Sequence, residues 1–323
     1  MKKYIIQRIV FMIFTLFTLA TLMFFMFRLL PGDPTMTVVS PALNPETQEA
    51  MRRQFGLDKP LYEQYIVYLK NTVRLDFGFS FQHSRRVSEM ISGRMSNTLV
   101  LMLTGLILSY LVGILLGAFI AWKRGGKLEI AVVIISTAFQ SAPIFWLGML
   151  ALQLLSVKLA LFPIGHIVTP GVHRTSSLSM YLSLDFLHHL ALPLIVTTLY
   201  HTCFPLLTMR SSMLEVFGED FIELCKMKGL SAKKIMYNHA MRNSLLPIAT
   251  TIPLIAGWAV AGSVVIETVF SWPGLGLLMV EGVRRNDYPV VQASFLLIAV
   301  LTIVGNFITD LLYGLLDPRV VYD

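Results

Sequence analysis

The side chains able to do chemistry in this sequence are few, and their spacing suits little of it. Seven histidines, at His83, His166, His173, His188, His189, His201 and His239, show no metal-ligand spacing. Two cysteines, Cys203 in an apolar run and Cys225 in a basic one, make no disulfide framework. The phosphate-cradling G-x-x-x-x-G-K-[ST] loop, the H-E-x-x-H zinc helix, the G-x-S-x-G elbow and C-x-x-C are all missing. ATP therefore has no P-loop cradle here, and an enzyme reading has almost nothing to stand on. His201, inside an apolar run, suits a hydrogen bond between helices better than a metal. His188 and His189 point to different helix faces and suit an interface. What remains is mechanical: residues that let helices approach, and a polar segment that can be pushed.

Two patterns carry that mechanical role. Gly105, Ser109, Gly113 and Gly117 recur every four residues and line one helix face, where a second backbone can come close. The partner is either another helix of this chain or a helix of a second membrane subunit. The other pattern is Arg210–Asn243, RSSMLEVFGEDFIELCKMKGLSAKKIMYNHAMRN. Helix connections in bundles usually run to about 2–8 residues, so this one is too long for a mere link. Met213, Leu214, Phe217, Phe221, Leu224 and Cys225 follow helical spacing. Gly229 can supply the positive φ that ends a helix, and Ser231 can cap the next. The spacing predicts helix, glycine turn, helix, with an apolar face and the lysines 226, 228, 233 and 234. Such an element either rests on anionic headgroups or docks in a groove of another protein.

Composition sets the elements that must position these patterns. Of 323 residues, 55% are hydrophobic and only 14% charged, and the mean hydropathy is +0.68. Soluble proteins carry about 25% charged residues, which excludes a soluble enzyme. The net charge of +7 comes from basic residues dispersed between apolar spans, so no nucleic-acid partner is expected. Six uncharged runs reach the length of about 20 residues that a membrane span needs. They are Ile9–Phe27, Thr98–Trp122, Ile130–Val157, Leu190–Met209, Leu245–Ile266 and Tyr288–Thr309. The third contains Pro143 and is expected to be tilted, kinked or partly re-entrant. The first follows Lys2, Lys3 and Arg8 but meets no small-x-small cleavage site, so it reads as an uncleaved span. Ionisable residues near the spans (Arg28, Glu267 and Asp310) lie close to their ends, which disfavours an ion-coupled secondary transporter.

Basic residues orient these spans. Lys2, Lys3, Arg8, Lys123, Arg124, Lys127, the Arg210–Arg242 cluster and Arg319 fall on one side if the N-terminus is cytoplasmic. The short loops opposite hold only Lys158, Arg174, Arg284 and Arg285. The positive-inside rule then places both termini in the cytoplasm. The expected organisation is an N-terminal transmembrane helix over 1–30, an extracytoplasmic segment over 31–93, a five-helix core over 94–316 with a cytoplasmic loop over 210–243, and a cytoplasmic tail over 317–323. Asn44-Pro45-Glu46 followed by the Gln48–Phe55 pattern predicts a short amphipathic helix in the outer segment. That segment is either a cap on its own span ends, or a dock or gate.

The loop at 210–243 resembles the cytoplasmic "EAA" coupling loop of ABC-importer permeases, in the form found in the bacterial dipeptide/oligopeptide/nickel family. Glu223 and Gly229 match it, while Leu224 and Cys225 stand where the family has two alanines. His239, Ala240, Arg242, Asn243 and Pro247 match the family's H-A-x-R-N-x-x-x-P in order. Further fragments agree along the whole chain: Pro31-Gly32-Asp33-Pro34, Gly56-Leu57-Asp58-Lys59-Pro60-Leu61, Asp76-Phe77-Gly78-Phe79-Ser80, the stretch from Thr268 to Gly276, Arg285-Asn286-Asp287-Tyr288-Pro289 and Asp317-Pro318-Arg319.

The resemblance implies an all-α integral membrane protein with the type-I ABC importer permease fold, in the bacterial inner membrane. It implies a non-catalytic subunit of an ATP-driven, binding-protein-dependent importer, closest in motifs to dipeptide permeases. Nickel, glutathione or opine-like solutes are alternative cargo. The implied partners are a homologous second permease, two ABC ATPase subunits that bind the ATP, an extracytoplasmic solute-binding protein and membrane lipid. No cofactor is expected in this chain. The implied coupling residues are Glu223, Lys228, Gly229, Leu230, His239, Arg242 and Asn243. A reporter fused after Asp323 is expected in the cytoplasm and one inserted at Asn44 on the opposite side. Both reporters in one compartment would overturn the six-span arrangement.

Overall fold

A computed structural model describes residues 2–29, 59–80, 82–83, 85–171, 177–249, 252 and 263–316. The amphipathic helix expected at Gln48–Phe55, the motifs at 31–34 and 56–58, the tail at 317–323 and most of the Leu245–Ile266 run lie outside these residues. Among the described residues there is no strand, only one bridge between Phe79 and Arg86. In chain order the helices are α1 (Lys2–Leu29), α2 (Leu61–Val73), α3 (Val87–Trp122), α4 (Lys127–Ser141) and α5 (Ile144–Ala151), which continues as π-helix over Leu152–Lys158. Then follow α6 (Ser177–Tyr181), α7 (Leu184–Val216), α8 (Asp220–Met227) and α9 (Ala232–Lys234). After α9 the chain passes through π-helix at Ile235–Ala240 into α10 (Met241–Ala249), and ends with α11 (Leu275–Arg284) and α12 (Tyr288–Leu316).

Four described helices are long and apolar enough to cross a membrane: Ile5–Arg28, Val87–Trp122, Leu184–Val216 and Tyr288–Ile308. The pair Lys127–Ser141 and Ile144–Lys158 makes a fifth if counted as one span, and it bends by 103° at Ala142-Pro143. Proline lacks an N–H and forces its predecessor out of the α region, so the helix stops there. Ala142 accordingly has ψ 141°. On α1, Phe11, Phe14 and Phe17 are each more than half exposed. A helix apolar all round is a membrane or core helix, and the exposure of these phenylalanines suits a membrane span.

The chain divides into two compact units, residues 1–98 with 273–307 and 322–323, and residues 99–272 with 308–321. In the first, α2 lies against α1: the Tyr65 hydroxyl meets Thr21 Oγ1 at 2.7 Å, and Phe24 is buried between the rings of Tyr65 and Tyr68. The first turns of α3 share a core with α11 and α12, built on Val87, Ile91, Leu275, Leu278, Val290 and Ala293. The start of α11 has no side-chain cap of its own, so Thr98 Oγ1 accepts from the Leu275 N–H at 2.8 Å. That bond satisfies one of the orphan donors at a helix start.

In the second unit the small-residue face of α3 meets α7. A Cβ added at Gly105 would lie 2.9 Å from Thr197 Cγ2, and one at Gly113 2.7 Å from the Pro205 ring. At Gly117 it would lie 2.5 Å from the Leu206 carbonyl oxygen, and Ser109 is fully buried on the same face. The helix meeting this stripe therefore belongs to the same chain. Gly117→Val is expected to lower thermal stability in detergent by about 2 kcal/mol, because backbone rather than a flexible side chain must give way. Leu115→Val, on an exposed position, should be nearly neutral. Equal melting of Gly117→Val and the parent protein would show that the close approach is dispensable.

Candidate coupling site

The first part of 210–243 differs from the expected helix. Residues 210–216 are the end of α7, which runs seven residues past Met209 without a break. The chain then turns at Phe217-Gly218-Glu219, and only Asp220–Met227 forms the separate helix α8. Apolar spacing continues through the turn, which is why it read as one helix.

Helix α8 splits its apolar residues between two directions. Ile222 and Cys225 are buried in a cluster with Tyr110, Ala121, Met209 and Met213 from α3 and α7. Leu224 and Met227 face outward, 52% and 75% exposed, beside exposed Glu223, Lys226 and Lys228. The residues standing in place of the two alanines thus have different roles: Cys225 anchors the helix and Leu224 presents an apolar side chain outside.

The turn after α8 is set by its own backbone. Lys228 is the C-cap, Gly229 has φ +72°, the Gly229 N–H donates to Lys226 O at 2.9 Å and the Leu230 N–H to Cys225 O at 3.2 Å. This paired arrangement is the Schellman motif, which needs a left-handed residue that glycine adopts without strain. A Cβ on Gly229 would meet nothing within 4 Å among the described residues, so the glycine is required by its φ and not by a close approach. Leu230 is half-buried and turns back toward Ile235 and Trp122 beside a cavity of about 350 Å³ also lined by Arg124, Phe217 and Lys226. Ser231 takes the N-cap position with extended backbone, but its side chain makes no capping bond, contrary to expectation. His239 lies in the π-helical stretch and its carbonyl accepts from Asn243 Nδ2 at 2.9 Å, while Arg242 and Asn243 are exposed.

One residue that sequence reasoning passed over holds the base of this segment. Glu129, at the start of α4, is buried at 6% exposure. Its Oε2 accepts from the Gly125 N–H at 2.6 Å, and its Oε1 accepts from Arg210 Nε at 2.7 Å and from Arg210 Nη2. The carboxylate thereby ties the 123–126 loop to the last turns of α7. Nearby, the Trp122 and Phe217 rings meet edge-on, with centroids 5.6 Å apart. A signal existed: Glu129 is the lone acidic residue between Glu89 and Asp185, and it follows Lys123, Arg124 and Lys127. A similar link joins two motifs in the other unit. Ser80 Oγ donates to Asp287 Oδ2 at 2.5 Å, both residues being buried, and Arg94 pairs with Glu281 at 3.2 Å.

His188, His189 and His201 make local contacts. His188 Nε2 lies 2.8 Å from Leu161 O, and His189 Nδ1 lies 2.9 Å from Asp185 O. His201 meets the neighbouring Tyr200 ring edge-on and lines a small cavity with Thr197 and Ser263.

The profile of the binding-protein-dependent transport system inner membrane component matches residues 113–322, and its N-terminal companion matches residues 1–102. The chain belongs to that family. It is a multi-pass membrane protein and a transport permease component rather than an enzyme, with the type-I importer permease fold. Among its relatives is the oligopeptide transport system permease protein AppB of Bacillus subtilis, 35% identical over 323 residues and all of both chains. The dipeptide transport system permease protein DppB of Escherichia coli K12 is 35% identical over 335 residues, covering 99% of each chain. The glutathione transport system permease protein GsiC of Escherichia coli O1:K1 is 33% identical over 322 residues and all of both chains.

A double-mutant cycle tests the Glu129–Arg210 link at the end of α7 in this permease. Glu129→Gln and Arg210→Gln are each expected to lower the thermal midpoint, and together to lower it by clearly less than the two effects added. Strict additivity would mean that the pair carries no coupling.

Proposed function

We propose that this permease forms the translocation path of an ATP-driven importer for short peptides, and that the segment from α8 to α10 is where ATPase subunits dock. The single observation that carries the cargo is full-length similarity to permeases named for oligopeptides and dipeptides. Glutathione, itself a tripeptide, is the second reading, favoured by a relative named for it. The remaining partners of this reading are a homologous second permease and an extracytoplasmic solute-binding protein. Both termini then face the cytoplasm, six helices span the membrane, and the coupling residues Glu223, Lys228, Gly229, Leu230, His239, Arg242 and Asn243 lie on the cytoplasmic side.

Support for the docking site comes from chemistry and geometry together. This chain has no phosphate-binding loop, so the free energy of ATP must enter through a mechanical contact. The exposed Leu224 and Met227, ringed by Glu223, Lys226 and Lys228, form an apolar anchor with a charged rim. That is the anatomy of a helix-in-groove contact. The buried Ile222 and Cys225 fix this helix to α3 and α7, so a push on the anchor reaches two spans. Moving a two-state bundle from 1:99 to 99:1 requires about 5.5 kcal/mol of differential contact energy.

Gly229 gives the sharpest test. Gly229→Ala places a Cβ in open space and costs only the positive φ, about 1–2 kcal/mol. Gly229→Pro removes the N–H that bonds Lys226 O and forces φ near −65°, dismantling the turn. Labelled-dipeptide uptake and binding-protein-stimulated ATPase should be reduced in Gly229→Ala and abolished in Gly229→Pro, with the membrane subunits still assembled. Parent-level stimulation in Gly229→Pro would remove this segment from coupling and return it to a membrane-surface role.

A further inference from the structure

Within the unit of residues 1–98 and 273–307, the end of α1, helix α2 and the start of α12 enclose a cavity of about 260 Å³. It has two kinds of wall. Phe27, Val67 and Leu296 are apolar, whereas Arg28, Lys59 and Tyr68 bring hydrogen-bond donors. Arg28 lies over the Phe24 ring at 5.6 Å, and among the described residues it meets no carboxylate. The acid in the lining is Asp76, whose Oδ1 accepts from the Gly78 N–H at 3.2 Å. The Tyr68 hydroxyl is buried beside Thr72 and Gln292 without a full hydrogen bond. Burial pushes this phenol above its ordinary pKa, so it stays protonated and able to donate. Two cations and a phenol outweigh the single carboxylate of the lining, which leaves it net positive and suited to an anion.

Location narrows the anion. The span of α1 ends at Arg28 and α12 begins at Tyr288, both at the cavity, so it lies at the depth where headgroups meet water. Next to it, Leu22, Phe25 and Met26 of α1 are exposed and apolar, offering a path for hydrocarbon. A free phosphate would use the donors and leave that path idle. We propose that this cavity holds the phosphate of an anionic membrane phospholipid, with its acyl chains along Leu22, Phe25 and Met26. Arg28 and Lys59 supply the charge, and Tyr68 supplies a directional donor. The lipid would tie α2 to the membrane-spanning helices.

The test uses the assembled transporter in nanodiscs containing equal parts phosphatidylcholine and phosphatidylglycerol, followed by transfer to detergent and native mass spectrometry of retained lipid. Phosphatidylglycerol should be retained in preference to phosphatidylcholine, and Arg28→Gln and Lys59→Gln should each reduce it by about fivefold, the effect of one basic group near an anionic surface. Lys59 is exposed and its substitution leaves packing alone, so it remains informative should Arg28→Gln destabilise the protein. Lys70→Gln, also on α2 but outside the cavity, should change nothing. Equal retention of the two lipids, or undiminished retention in both Arg28→Gln and Lys59→Gln, would overturn the proposal. Displacement of the retained lipid by inorganic phosphate would overturn the lipid assignment in favour of a free-anion site.

Discussion

At Gly113 and Gly117 the backbones of α3 and α7 come so close that a methyl group would collide with a proline ring or a carbonyl oxygen. In lipid no hydrophobic effect pulls helices together, so their association depends on van der Waals contact over such flat faces. The segment from α8 to α10 inherits its position from that contact. Met209 and Met213 at the end of α7, together with Ala118 and Ala121 of α3, form the floor on which Ile222, Cys225, Ile235 and Ala240 pack. The pair Glu129–Arg210 then bolts the same helix end to the neighbouring loop.

A division of labour follows within α8. A helix of eight residues is too short to be stable alone, since isolated helices below about 12–15 residues are marginal in water. Its inward residues supply the stability, and the outward ones are free to be chosen for contact. Leu224 in place of a small residue is tolerated for that reason: it stands in solvent-facing space, where bulk meets no internal constraint.

Much of this was readable in the chain itself. Lipid imposes long apolar runs, so runs visible by eye mark the described spans, although α3 begins well before Thr98 and α7 extends past Leu190–Met209 at both ends. Pro143 marks the 103° bend because a missing N–H has the same consequence in every helix. Gly229 was readable because a left-handed residue leaves a narrow choice of side chain. Pairings between distant residues were not. Glu129 and Arg210 are 81 positions apart, and Ser80 and Asp287 are 207 apart, so no local periodicity links them. The helix boundary at Val216 was missed for a different reason: apolar spacing persists through a turn that only Gly218 punctuates.

The turn at Gly229 has a thermodynamic consequence beyond its geometry. Its two closing bonds run from Gly229 and Leu230 back to Lys226 and Cys225, and among the described residues nothing lies within 4 Å of where a Cβ on the glycine would be. The shape of the loop is thus settled when α8 folds, not when something touches it. Immobilising flexible side chains and loops on association usually costs about 0.5–1.5 kcal/mol for each rotamer-rich group. A preformed turn carries little of that entropy loss into any encounter in which the exposed Leu224 and Met227 take part.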